Sequence, residues 1–261
     1  MNKLLSWFRK SPTRHESALI GYCYVPNESH EPIRNAHVGA VVENPSEGPP
    51  WIVVDQSLDS LVVSRWPGRL WKLEVVRPAK EQPNASATYV RAVSVRVLEE
   101  VPVSTLFGEH GQEVAKVIES ARLLDIQCSR RLGATFDTRA LEMYSEAWNR
   151  WLSELCRADP NHERDDHSET LAISGASKRS PVGVAPTVLY SVLRERVKTI
   201  VGDSAFVVDE EGNESFSPEW SNVLSAFLCA VMGFGVDGMM SPQEKSILIA
   251  AWRSTFPDVV Q

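Results

Sequence analysis

Between about Ser17 and Pro102 the apolar positions come in short runs, SALIGYCYV, AHVGAVVE, PWIVVD, SLVVS and RLWKLEVV, separated by Gly, Pro, Asn and Asp. Runs of that length, rich in Val, Ile, Tyr and Trp, predict strands. TYVRAVSVRVLEE, from Thr88, has the clearest period of two. It places Tyr89, Arg91, Val93, Val95 and Val97 on one face and Val90, Ala92, Ser94 and Arg96 on the other. RPAKEQPNASA, residues 77–87, is a loop by composition and links the last two runs as a long hairpin.

After Val103 the period becomes helical. Val114, Val117, Ile118, Ala121 and Leu124 form one stripe. A second helix starts at Asp137 and carries Leu141, Tyr144, Trp148, Trp151, Leu152 and Leu155, an aromatic stripe that predicts core. Pro186 opens a third, with Val188, Leu189, Val192, Leu193, Val197 and Ile200 inward. FSPEW opens a fourth, capped by Ser217, and SPQEK a fifth. VLSAFLCAVMGFGV, residues 223–236, is too short to span a bilayer and reads as a buried helix.

The fold class expected is therefore α+β: a tail over residues 1–15, a β-rich unit over 16–104 of about five to six short, mainly antiparallel strands, and a helical unit over 105–261 of about five helices, with a loop at 158–185. The length and the apolar fraction of 43% allow a sizeable core. The first residues, MNKLLSWFRKSPTR, lack the long apolar region of a secretory signal. Cys23, Cys128, Cys156 and Cys229 are widely spread, without a C-x-x-C pair, which argues against a zinc site or a disulfide framework and fits a reducing, cytoplasmic setting.

Charge changes the picture once it is divided. Residues 201–261 hold two Lys+Arg against nine Asp+Glu, a local −7 equal to the net charge of the whole chain. An acidic end disfavours phosphate backbones and favours a basic protein partner. No basic cluster interleaved with aromatics supports nucleic-acid binding.

GFGVDGMMSPQEK, residues 233–245, resembles a calcium loop only at Asp237, Gly238 and Glu244. With Glu244 at position 12, positions 1 and 3 are Gly233 and Gly235, which offer no side-chain oxygen. The same residues make a helix connection: Gly233 and Gly235 end one helix, Asp237-Gly238 turns, and Ser241 and Glu244 form a capping box. HERDDH, residues 162–167, offers His162, Asp166 and His167, but in a polar run after Pro160, where solvated side chains are expected. GASKRSPVG lacks the order of a phosphate-binding loop and reads as a linker. No metal or cofactor is implied.

Two function classes remain. The first is a non-enzymatic interaction module, of inhibitor or immunity type, whose partner has a basic surface; its candidate contacts are Asp209, Glu210, Glu211 and Glu214 in VDEEGNE, with Trp66 and Arg69 beside a Pro-Gly turn. The alternative is an enzyme with a small-molecule or nucleotide pocket in the β-rich unit, lined by His37, Arg65, Glu74 and Arg91. It requires those four to converge.

Overall fold

A computed structural model describes residues 18–158 and 180–259. The expected tail over 1–15, the HERDDH run and most of the loop over 158–185 lie outside them. The order of elements is α+β, as expected.

Five strands come first: β1 (Ile20–Pro26), β2 (Val41–Glu43), β3 (Ile52–Asp55), β4 (Gly68–Pro78) and β5 (Tyr89–Val101). All their pairings are antiparallel. β4 and β5 form the expected long hairpin and are the two longest strands, so each reaches further neighbours. β4 pairs with β1, β5 with β3, and β1 meets β3 at Tyr22 and Asp55, which closes four strands into a small barrel; β2 adds to β5 beside β3. Closure removes the open edges that a four-stranded sheet would otherwise present. Cys23, Val25, Ile33, Ile52, Val54, Trp71, Leu73, Ala92, Val95 and Val97 fill one of the two buried clusters.

Two expectations fail here for local reasons. The face assignment along β5 holds for Val95 and Val97 but not for Ala92, which is buried with them. The β4–β5 register steps past Val76 and Val93, and such a bulge reverses which side chains point inward. SLVVS forms no strand: Leu58–Ser60 is a single 3₁₀ turn, and the chain then runs extended without a sheet partner. Leu61 and Val63 are buried while Val62 is exposed, because that extended stretch lies against the helices.

Six helices follow among the described residues: α1 (Gly111–Arg122), α2 (Ile126–Thr135), α3 (Arg139–Ala158), α4 (Ala185–Ile200), α5 (Pro218–Gly235) and α6 (Pro242–Thr255). α2 is the addition. Its buried stripe is only Ser129 and Leu132, too thin to register as a period, although Asp125 caps it by accepting from the Cys128 N–H at 2.6 Å. α5 packs against the other five helices, which is why its sequence is apolar nearly all round. Ser217 stands at its N-cap position but makes no side-chain capping bond; its backbone N–H donates to the Ala205 carbonyl instead. No helix is long and apolar enough to cross a membrane among the described residues.

One apolar cluster joins the barrel to the helices. Tyr24, Leu61, Val63 and Leu70 from the barrel side share it with Phe107, Val117, Phe227 and Trp252. Burying a side chain such as Phe227 contributes about 1.5–3 kcal/mol. Deep in this cluster the Trp252 Nε1–H donates to Ser120 Oγ at 2.7 Å, which satisfies the indole's one polar group.

α5 ends at Gly235, as expected, although neither Gly233 nor Gly235 takes the positive φ of a glycine cap. They allow contact: a Cβ on Gly233 would lie 2.6 Å from Ile249 Cγ2, and one on Gly235 would lie 2.5 Å from Val182 Cγ1. Gly133 in α2 has nothing within 4 Å of the same position. The two sites therefore predict opposite signs. Gly233→Ala should lower the urea midpoint by the equivalent of about 1–3 kcal/mol through overpacking. Gly133→Ala should raise it by about 0.5–1 kcal/mol through helix propensity.

Candidate functional site

VDEEGNE does not form a plain acidic loop. It is the turn of a hairpin that sequence reading missed, β6 (Phe206–Val208) paired antiparallel with β7 (Glu214–Phe216). The charge run obscured two short apolar ends, Phe206-Val207-Val208 and Phe216, and a turn whose Gly212 has φ +85°. That pattern of apolar ends around Asp, Gly and Asn was the available signal.

The hairpin is anchored on α4. The Phe206 and Phe216 rings stack at 5.1 Å, and Tyr190 meets Phe216 edge-on at 5.4 Å. Glu214 accepts from Arg194 Nε at 2.9 Å and from Lys198 Nζ at 3.0 Å. The Lys198 ammonium lies 5.1 Å from the Phe206 ring centroid, so it serves both strands. Lys198 first, and then Arg194, hold the Glu214 carboxyl below its ordinary range.

Beyond this clamp the turn organises itself. Asp209 accepts from the Asn213 backbone N–H at 2.8 Å, the Asn213 side-chain amide at 3.0 Å and the Glu211 N–H at 3.0 Å. These bonds favour the ionised form and lower its pKa, the Asn213 side chain contributing most. Glu211 takes a long contact of 3.4 Å from Asn213. Glu210 is exposed, and no hydrogen bond or ion pair engages it among the described residues. Val207 and Val208 are 48% and 65% exposed. Of the four candidate carboxylates, Glu214 is an anchor, Asp209 shapes the turn, and Glu210 and Glu211 face outward.

Trp66 and Arg69 are engaged within the chain. The Trp66 Nε1–H donates to Glu119 at 2.6 Å and its ring tilts against Phe107 at 5.3 Å, tying the barrel to α1. Arg69 makes a two-pronged pair with Glu100 and lies over the buried Trp71 ring.

The four residues of the alternative pocket are not brought together. His37 is exposed before β2, Arg65 pairs with Glu28, Glu74 pairs with Arg96, and Arg91 lies 4.5 Å from the Trp51 ring centroid. Glu74 lines an open groove of about 580 Å³ at the far end of the barrel. Arg65 lines a different one of about 480 Å³ against α4. Burial pushes the Cys229 thiol up to about 12 and raises that of Cys23 as well, so neither is a thiolate at neutral pH.

In the stretch first compared with a calcium loop, both carboxylates already serve the chain's own cations. Asp237 pairs with Lys245 and His110, each at 2.9 Å. Glu244 accepts from Arg150 and closes the expected capping box with Ser241. Compared with family models, with curated proteins and with solved structures, the chain matches none of them.

Arg150 first, and then the Ser241 N–H, lower the Glu244 pKa from its ordinary 4.5 to about 2. A carboxyl depressed by folding contributes stability that is present above its unfolded pKa and is lost as pH falls through the folded value. Melting temperature should therefore fall between pH of about 4.5 and about 2, and Glu244→Gln should flatten that part of the profile while lowering the melting temperature at neutral pH.

Proposed function

We propose that the chain is a protein-binding module whose partner has a basic surface, docked through the β6–β7 hairpin of the acidic C-terminal stretch. It would act by occupying that surface, as an inhibitor or immunity-type protein does. The observation that carries this reading is the division of labour in the hairpin. One carboxylate and two aromatic rings fix it to α4, while Glu210, Glu211 and the two exposed valines are left for a partner. A carboxylate on a fixed turn loses little conformational entropy when it binds. Outward negative charge draws a basic partner in over a distance.

The test is capture of the partner from native lysate by the wild-type chain and by the Glu210→Lys/Glu211→Lys double variant. A basic protein should be retained at about 50 mM salt and largely released at about 500 mM. The double reversal should slow its association about tenfold or more. Equal capture by both chains at both salt concentrations would contradict the proposal.

A further inference from the structure

The pairing of the hairpin determines which backbone groups face away from it. The Ser217 N–H donates to the Ala205 carbonyl at 2.8 Å, and the Asp209 N–H donates to the Asn213 carbonyl at 3.1 Å. In an antiparallel pair, bonded and non-bonded residue pairs alternate. The bonded pairs are therefore 205 with 217, 207 with 215 and 209 with 213. The N–H and C=O groups of Phe206 and Val208 then lie on the outer side of β6, and those of Glu214 and Phe216 on the outer side of β7. The Phe206 N–H already donates to the Asp203 carbonyl, so the outward groups left on β6 are the Phe206 carbonyl and the Val208 N–H and carbonyl.

The two outer edges are not equivalent. On β7 the Phe216 carbonyl already accepts from Ser221 Oγ at 3.2 Å. The Glu214 side chain on that strand is clamped by Arg194 and Lys198. β6 has no strand neighbour besides β7 among the described residues. Its Val207 and Val208 are exposed, and exposed carboxylates stand at both its ends, Asp203 before it and Glu210 and Glu211 after it. The Asp203 carboxylate, like that of Glu210, has no hydrogen-bond or ion-pair partner among the described residues.

From this we infer that β6 takes a third strand: an extended segment of the partner protein in which basic residues flank a short β-branched core. The inference rests on the hairpin-docking proposal and specifies its mode. The segment's backbone would bond the Val208 N–H and carbonyl and the Phe206 carbonyl at the ordinary strand spacing of about 4.8 Å. Its β-branched side chains would cover the valines, and its flanking cations would meet Asp203 at one end and Glu210 and Glu211 at the other. Short strands are a common way of blunting an edge, and the three residues of β6 admit only a short added strand. The charged flanks therefore carry much of the recognition.

The probe is a synthetic capped peptide, Lys-Lys-Val-Thr-Val-Lys-Lys, titrated at low salt into the full chain. Amide exchange followed by NMR should show Val208 unprotected in the free chain, Val207 and Asp209 protected, and protection gained at Val208 on binding. Val208→Pro deletes one outward N–H and leaves the inner bonds in place; proline is tolerated at an edge. It should weaken the peptide about tenfold, the effect of one lost backbone bond, with the melting temperature within a few degrees of wild type.

Peptide binding without new protection at the Val208 amide, or with equal affinity for Val208→Pro, would overturn strand addition and leave the charge-based docking standing. Absence of peptide binding would overturn it as well. So would a chain that dimerises by light scattering and returns to monomer in Val208→Pro, because a second copy would then be the occupant of the edge. Failure of the docking proposal itself would appear separately, as indifference of partner capture to Glu210→Lys/Glu211→Lys.

Discussion

Glu214 holds the hairpin to the helical bundle, and the candidate surface depends on that contact. Its carboxylate meets both Arg194 and Lys198, one turn apart on α4, so a single residue of β7 is fixed at two points. Its strand partner is Val208, on the outward half of the ribbon. Holding Glu214 therefore also sets the direction of β6 and of the turn beyond it. A two-stranded ribbon is marginal by itself in water. The ion pairs and the stacked Phe206 and Phe216 supply what the isolated ribbon lacks.

The same contact changes how the acidic stretch should be read. A local charge of −7 along the sequence is not a field of −7 in space, because cations from elsewhere in the fold meet part of it. α4 supplies two to Glu214 and α3 supplies Arg150 to Glu244, while Asp237 is met from within the stretch by Lys245. The carboxylates without a cation are fewer, and several of them lie around β6. The more exposed of these pairs, such as Asp237 with Lys245, contribute little stability each. They do decide which carboxylates remain without a cation.

Much of the fold was legible from periodicity because several elements bury one face in a common core. α1 and α4 each present a clean stripe to a single core, and the Ser241–Glu244 box is local chemistry that needs no tertiary context. What was not legible depends on long-range geometry. The inward set on β5 changes at a bulge that exists only because β4 is its neighbour. The run containing Leu61 and Val63 alternates like a strand but covers helices. Gly233 looked like a stop signal, and its reason is Ile249, on another helix. The site was half visible. VDEEGNE stood out by charge, but the separation of Glu214 from Glu210 is set by residues of α4, and no sequence window contains both. For Trp66 and Arg69, residue type suggested a contact surface, while Glu119 and Glu100 provide them with partners inside the chain.

The central claim is that Glu214 makes a rigid, outward-facing ribbon out of a short acidic segment. Backbone ¹⁵N relaxation of the full chain measures that rigidity directly. The account predicts order parameters of about 0.85 across residues 206–214, as in the helices, and a fall at the turn when Glu214 is replaced by Gln. Values below about 0.6 at Val208, Asp209 and Glu210 in the wild-type chain, or no change on replacing Glu214, would contradict it.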